Sequence, residues 1–349
     1  MSEDKKKYSG RGVKHNPANR FEKIDIVFEE APESHVNTQF YKDTSRSIIS
    51  YNNSPDLPIN TFINPYRGCE HGCIYCYARP NHEYLGLSAG IDFESKIFIK
   101  ENASQLLEKE LRSAKWHPQT IGISGVTDGY QPVEKKMKLT RSCLEVLARY
   151  RNPVAIVTKN HLVTRDIDIL KELSSCGAVA VILSITTLDN HLAKVMEPRT
   201  SRPKLRLEAI RTLAENGIPA GVMIGPVIPG LTDQEIPAII EESVKAGARM
   251  ARYIMLRLPH GTKDIFENWL EQNFPNKKNK VLNRIKSLRG GKLYDASFYK
   301  RDRGEGFFAD QVENLFTVSC RKAGISGNRL KLSSDAFRRP EGRQLQLFS

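Results

Sequence analysis

Thr61-Phe62-Ile63-Asn64-Pro65-Tyr66-Arg67-Gly68-Cys69-Glu70-His71-Gly72-Cys73-Ile74-Tyr75-Cys76-Tyr77 is the stretch on which the reading turns. Thr61–Asn64 has the apolar, β-branched texture of a short strand, and the loop after it spaces three cysteines as C-x3-C-x2-C. Thiolates are the soft ligands that iron–sulfur clusters take, and a cluster that only carries electrons normally has four. Three ligands on a four-iron cube leave one iron open to a small molecule, as the vacant position of a catalytic zinc marks its reactive side. The competing readings are a zinc site completed by His71 or His82, and a chance grouping. Zinc fingers pair Cys-x2-Cys with a second pair at a distance, and this sequence has none. Gly68 and Gly72, each just before a cysteine, let the backbone fold round a bulky cube. Cys69, Cys73 and Cys76 are therefore assigned to a 4Fe–4S cluster.

Outward from that loop, strand and helix patterns alternate. Helical spacing at Ala103–Ala114, Ser142–Tyr150, Val163–Ser174, Leu205–Asn216 and Asp233–Ala246 separates apolar strand runs at Thr120–Gly125, Pro153–Thr158, Ala178–Ile185, Pro219–Ile228 and Arg249–Leu258. Gly217 has the look of a helix C-terminal cap. Continuous Val/Ile/Leu runs between helices argue for a parallel sheet buried on both faces. Right-handed crossovers wind six such units into a curved sheet, a partial barrel. The expected fold is α/β: a partial (β/α)6 TIM-like barrel over residues 60–260. A basic N-terminal extension, partly flexible, precedes it at 1–59, with residues 1–35 as an arm. A mainly helical segment at 261–349 follows, with helices at Asp264–Asn273, Lys277–Leu288 and Ala309–Lys322 and a loop at Lys300–Gly306.

Bulk properties narrow the class. Hydrophobic content of 40% and charged content of 27% fit a globular chain. No stretch approaches the roughly 18–20 apolar residues of a membrane span, and the charged start is not a secretory signal, so a cytoplasmic protein is expected. Six cysteines in 349 residues are too few for a disulfide scaffold. Cys143, Cys176 and Cys320 read as small apolar core residues. The net charge is +13, and residues 261–349 alone carry 18 basic and 10 acidic side chains. Such a surface attracts polyanions, nucleic acid first. Arg301 and Arg303 read as its best single probes.

Further motifs sit at or just past the predicted strand ends: Asn64-Pro-Tyr-Arg-Gly-Cys69, Thr127-Asp128-Gly-Tyr-Gln-Pro-Val-Glu134, Val157-Thr-Lys159, Ser184-Ile-Thr-Thr-Leu-Asp189, Glu197-Pro-Arg199 and Pro226-Val-Ile-Pro-Gly230. With the cysteine loop they resemble the radical S-adenosylmethionine superfamily, and within it the branch of spore photoproduct lyase and the proteins grouped as DNA repair photolyases. That resemblance implies a 4Fe–4S cluster whose open iron chelates the methionyl amine and carboxylate of S-adenosyl-L-methionine. It implies one-electron cleavage to a 5′-deoxyadenosyl radical, which takes hydrogen from a substrate, and a reductant of flavodoxin or ferredoxin type. It places Thr127 and Asp128 near the amine, and Lys159 facing the carboxylate. Arg199 is a second candidate there, or a partner of Glu197. Ser184 falls on the ribose, and Tyr75 and the backbone near Ile228 beside adenine. The plainer readings make Asp128 a cap or turn residue and Lys159-Asn160-His161 a solvated loop.

One departure matters. Spore photoproduct lyases of this branch use an extra cysteine near the end of the second strand to return hydrogen to the product radical. Ile121–Asp128 holds none, Gly125 or Val126 standing there, so thymine-dimer repair by that route is not expected. A nucleic acid or nucleotide is the first candidate substrate; a protein, peptide or small molecule is the alternative. A non-catalytic iron–sulfur nucleic-acid-binding protein stands last, because a binding module has no use for an open iron, Lys159 and Ser184 together.

Overall fold

The computed structural model describes residues 10–21, 36–325 and 331–340. Its strands are β1 (Gln39–Lys42), β2 (Ile49–Tyr51), β3 (Thr61–Ile63), β4 (Tyr66–Arg67), β5 (Lys96–Ile99), β6 (Ile121–Ile123), β7 (Val154–Thr158), β8 (Val179–Ser184), β9 (Ala220–Val227) and β10 (Met250–Met255). Its helices are α1 (Ile91–Ser95), α2 (Ala103–Arg112), α3 (Glu134–Met137), α4 (Leu139–Tyr150), α5 (Ile167–Ser175), α6 (Asn190–Met196), α7 (Pro203–Glu215), α8 (Ile236–Lys245), α9 (Thr262–Asn273), α10 (Pro275–Ser287), α11 (Lys300–Arg303) and α12 (Phe307–Lys322).

Six strands, β3, β6, β7, β8, β9 and β10, lie side by side in chain order and run parallel. This is the expected partial barrel, its crossovers supplied mainly by α2 with α4, α5, α7 and α8. The apolar runs explain it: Val154, Ile156, Val179, Val181, Leu183, Val222 and Ile224 are buried between the helices and the barrel interior. β2 pairs antiparallel with β3 and forms one edge, β10 the other. A second sheet, β1-β5-β4, stands beside the cysteine loop. Its short strands carry no periodic signal, and sequence reading passed over them.

Two helices differ from expectation at their starts. Val163–Ser174 is a 3-10 turn at His161–Asp166 followed by α5, and Asp233–Ala246 opens with a 3-10 turn at Asp233–Glu235 before α8. Gly217, with φ +72°, closes α7 as read. The Lys300–Gly306 stretch, read as a loop, carries α11, closed by the Gly304 N–H on the Lys300 carbonyl at 2.7 Å.

Across the open side of the barrel, Arg301 holds Asp56 with both ends of its guanidinium, Nε to Oδ2 at 2.7 Å and Nη2 to Oδ1 at 2.5 Å. The Tyr299 N–H adds a bond to Asp56 Oδ2 at 3.1 Å. The turn after β2 is thereby tied to the α11 segment, which packs on β10. α9 and α10 pack on each other, and Ile265, Phe266, Trp269, Val281 and Ile285 share one core with Cys73, Ile74, Tyr75 and Ile228.

Of the expected N-terminal arm, residues 10–21 are seated firmly, while 1–9 and 22–35 lie outside the described residues. The Gly12 and Val13 N–H groups donate to Glu94 at 3.0 and 3.1 Å, and Arg11 Nη1 to the Glu94 carbonyl at 2.6 Å. These partners lie some eighty residues on, which no local pattern reveals.

Candidate cluster and cofactor site

The cysteine loop is built around a buried ion pair. Arg79 has no exposed surface; its Nε donates to the Cys73 carbonyl at 2.9 Å, and its Nη2 to Glu94 Oε1 at 2.6 Å. Its Nη1 takes the Ala89 and Gly90 carbonyls at 3.1 and 2.9 Å. The Cys69 N–H donates to the Phe93 carbonyl at 2.9 Å. Gly72 has φ +67°, and a Cβ there would stand 2.7 Å from Glu94 Oε2. A Cβ on Gly12 would meet the Gly72 carbonyl at 1.8 Å, so the arm lies directly on the peptide between two of the cysteines.

All three thiols are free, and Cys69 and Cys73 are buried. Burial pushes the Cys76 thiol up to about 11, with Cys69 adding to it. Cys73 is raised well above its ordinary value by burial and by Glu197. Such thiols give up their protons to a soft metal centre and to little else. Among the described residues no three His, Cys, Asp or Glu side chains converge on a single ion; a four-iron cube instead takes each thiolate on a different iron. The histidines are otherwise engaged. His71 Nδ1 lies 3.3 Å from Asp128 Oδ2, its Nε2 3.3 Å from Asn160 Nδ2, and His82 Nε2 bonds the Lys96 carbonyl at 2.9 Å. The donor set fits a cluster held by Cys69, Cys73 and Cys76.

Next to the loop the strand ends converge. Lys159, just past β7, donates from Nζ to Ser184 Oγ at 2.5 Å and to the Gly225 carbonyl at 2.8 Å, and lies 5.8 Å from the Tyr75 ring centroid. Ser184, the last residue of β8, also donates to Gly225 at 3.0 Å. Tyr75 is hydrogen-bonded to Glu197 and lies 3.1 Å from Thr186 Oγ1. Asp128 accepts from the Lys159 N–H and the Thr158 hydroxyl, each at 2.8 Å, and from the Tyr130 N–H at 2.9 Å. Burial would raise its pKa, but His71 and these bonds hold it below the usual carboxylate range. Burial alone would lower His71, but Asp128 and Cys69 outweigh it and push the imidazole up to about 10.

Tyr75, Asp128, Lys159 and Ser184 are therefore brought together. Thr127, buried beside them, donates to the Tyr66 carbonyl at 3.1 Å. Ile228 is buried in the same core as Cys73 and Tyr75. Arg199 is turned away: its Nη1 lies 3.4 Å from Glu70 Oε1 and 3.3 Å from Thr38 Oγ1. Of the two readings offered for Arg199, the pairing with Glu197 is not formed: the Arg199 N–H binds the His71 carbonyl and its side chain reaches Glu70. The partner of Glu197 is Arg206, buried on α7. Burial would raise Glu197, but Arg206 and then Lys159 bring it down to about 2.

Sequence reading passed over Arg206, Arg79, Glu94 and Thr186 as site residues. Arg206 had a signal: it falls on the buried stripe Pro203, Arg206, Ala209, Ile210, Leu213, where a charge needs a partner. At the end of β10, the Arg257 guanidinium lies 4.8 Å from the Tyr77 ring centroid, and its Nη1 3.0 Å from Asp302 Oδ1. The Tyr77 hydroxyl donates to the Gly125 carbonyl at 2.6 Å, at the end of β6.

The site thus sits on the C-terminal rim of a parallel α/β partial barrel, where barrels of this class form their active sites. The model of the Radical SAM superfamily matches residues 63–242, and the chain belongs to that superfamily. An uncharacterized protein of Mycobacterium tuberculosis is 34% identical over 225 residues, 64% of this chain and 66% of that one. The chain thus spans just under two thirds of the length of these mycobacterial relatives. An uncharacterized protein of Methanocaldococcus jannaschii is 35% identical over 222 residues, covering 64% and 79%. Among solved structures, spore photoproduct lyase complexed with dinucleoside spore photoproduct is similar at TM-score 0.56 and 18% identity, covering 83% of this chain and 79% of that one. A mutant of that lyase with bound AdoMet and the same dinucleoside gives TM-score 0.52 and 16% identity, covering 81% and 78%. At such identities the likeness is one of fold.

Proposed function

We propose that Cys69, Cys73 and Cys76 hold a 4Fe–4S cluster, that Tyr75, Thr127, Asp128, Lys159, Ser184 and Ile228 surround S-adenosyl-L-methionine, and that the substrate is a nucleic acid or nucleotide. Arg199 stands at the edge of this set. The observation that carries the reading is three free thiols, two of them buried, beside the Lys159–Ser184 pair, with Tyr75 sharing a core with Cys73 and Cys76 and its ring 5.8 Å from the Lys159 ammonium. When bound, the cluster and cofactor supply one-electron carbon–sulfur cleavage and a 5′-deoxyadenosyl radical for hydrogen abstraction.

The chain's own residues bind and orient. Two of the three Lys159 ammonium donors are met within the protein, which leaves one for a carboxylate. Asp128, kept ionised, offers negative charge near a cationic amine. Ile74, Phe93 and Ile228 exclude water from the loop. The nucleic-acid reading is supported by the basic last quarter and by the dinucleoside that the structurally similar lyase binds. A peptide or small-molecule substrate is favoured by one observation: Lys300, Arg301 and Arg303 are ion-paired to Glu305, Asp56 and Glu313. We read the protein as a cytoplasmic enzyme served by a flavodoxin- or ferredoxin-type reductant; no helix among the described residues is long and apolar enough to cross a membrane.

Anaerobic reconstitution tests this. About four irons per chain should bind, and with a strong reductant the protein should release 5′-deoxyadenosine and methionine. Alanine at Cys69, Cys73 or Cys76 should abolish the brown chromophore. A deuterated oligonucleotide should pass its label into 5′-deoxyadenosine. Stoichiometric zinc without iron would overturn the assignment.

A further inference from the structure

Resting on the reading above, we propose that Arg257, backed by Arg289 and flanked by exposed aromatic rings, is a subsite for a nucleotide phosphate of the substrate. Position is the first argument. The Leu256 N–H still donates to the Val227 carbonyl at 3.0 Å, so Arg257 is the first side chain beyond the paired part of β10, on the rim that carries the cysteine loop. Its guanidinium lies 4.8 Å from the ring of Tyr77, the residue after Cys76.

Charge is the second. Arg257 has one carboxylate partner, Asp302, which meets a single guanidinium nitrogen. Arg289, 3% exposed, donates to the carbonyls of Lys300 at 2.6 Å and Leu256 at 2.9 Å, and among the described residues no carboxylate pairs with it. Among the described residues four buried side-chain polar atoms lack a partner; two of them are the Nε atoms of Arg257 and Arg289. With Asp302 bonded to one nitrogen of Arg257 and Asp295 acting on Arg289 only at a distance, the two buried Nε donors stay unmet, and an anion's oxygens supply what is missing. Burial and then the neighbouring Arg257 lower the pKa of Arg289 by more than Asp295 and Asp302 raise it. Arginine's planar fork suits phosphate oxygens.

The neighbours select the class of anion. Tyr77 is 45% exposed, and Phe298 and Tyr299, four and three residues before Asp302, are 49% and 63% exposed, Phe298 with the Arg301 guanidinium 5.0 Å from its ring centroid. Flat exposed rings beside an unsatisfied guanidinium are what a base and its phosphate require, since every base has a face to stack. A carboxylate-bearing peptide has no use for the rings.

The test uses reconstituted holoenzyme with S-adenosylmethionine and three fluorescent probes: a single-stranded DNA ten-mer, the same ten-mer with neutral methylphosphonate linkages, and an acidic peptide of matched charge. Binding should follow the phosphates, so the neutral strand and the peptide should bind at least ten-fold more weakly than the ten-mer. Arg257→Ala should weaken ten-mer binding about ten-fold or more and reduce the log–log salt slope by about one. Arg257→Lys, which keeps the charge without the fork, should fall between. Arg321→Ala, an exposed arginine on α12, is the control and should change binding little. Equal losses in Arg321→Ala and Arg257→Ala, or a peptide bound as tightly as the ten-mer, overturn the proposal. Iron content and the visible spectrum report whether each variant is folded. A wild type that releases 5′-deoxyadenosine but ignores all three probes refutes this subsite alone; one that releases none refutes the underlying function.

Discussion

Lys159 owes its position to an arginine that it does not touch. Its ammonium lies 3.8 Å from Glu197, a buried carboxylate that would draw it away from Ser184 and Gly225. Arg206 prevents this by taking the other oxygen of Glu197 while its Nη1 donates to the Ser184 carbonyl at 2.8 Å. Removing one partner of a buried ion pair costs about 3–5 kcal/mol. Arg206→Leu should therefore lower the thermal midpoint and hand Glu197 to Lys159, so that affinity for S-adenosylmethionine falls about ten-fold. Arg206→Lys should recover part of both. Unaltered cofactor affinity by calorimetry in a folded Arg206→Leu protein would show that Arg206 only packs. Ser184 stood out because a polar side chain in an apolar strand needs a reason, and Lys159 only through the family resemblance of its motif. Arg206 was not, because a helical stripe is traced by its apolar members, and the nearer Arg199 drew the pairing with Glu197.

At the scale of elements, the arm and the cysteine loop form one unit. Arg11, Gly12 and Val13 converge on Glu94, Glu94 on Arg79, and Arg79 on the Cys73 carbonyl. A valine at Gly12 would drive a side chain into the Gly72 carbonyl and lift the arm off the loop. Gly12→Val should thus still fold, yet lose iron to a chelator several-fold faster than wild type, read as decay of the visible absorbance. Equal loss rates would show that the arm has no hold on the cluster. Arm and loop are far apart in sequence, and each half of their contact is unremarkable alone. The parallel strands, by contrast, were legible from end to end, because burial on both faces leaves an unbroken apolar run.

For the whole molecule, the open side of the barrel is spanned by a polar clasp. Asp56 and Arg301 join the turn after β2 to the segment packed on β10, with both side chains largely buried. Asp56→Asn removes the charge and leaves Arg301 without its counter-ion. The melting temperature should fall by several degrees, with amide exchange accelerating first in residues 52–60 and 297–303. Exchange rising uniformly through the sheet would mean that the clasp belongs to the global fold. Sequence reading offered Arg301 as a probe for phosphate contact; its pairing with Asp56 is visible only in three dimensions.

Beyond the arm itself, the hydrogen bonds described for residues 10–20 end on residues 83–94 after the cysteine loop, on Val36 and Thr38 before β1, and on Gln272 at the end of α9, none on the six parallel strands. Peeling it away is a local opening, and such openings cost far less than unfolding a domain. Under the proposed function, that opening would bare the cysteine loop while the six parallel strands stay folded.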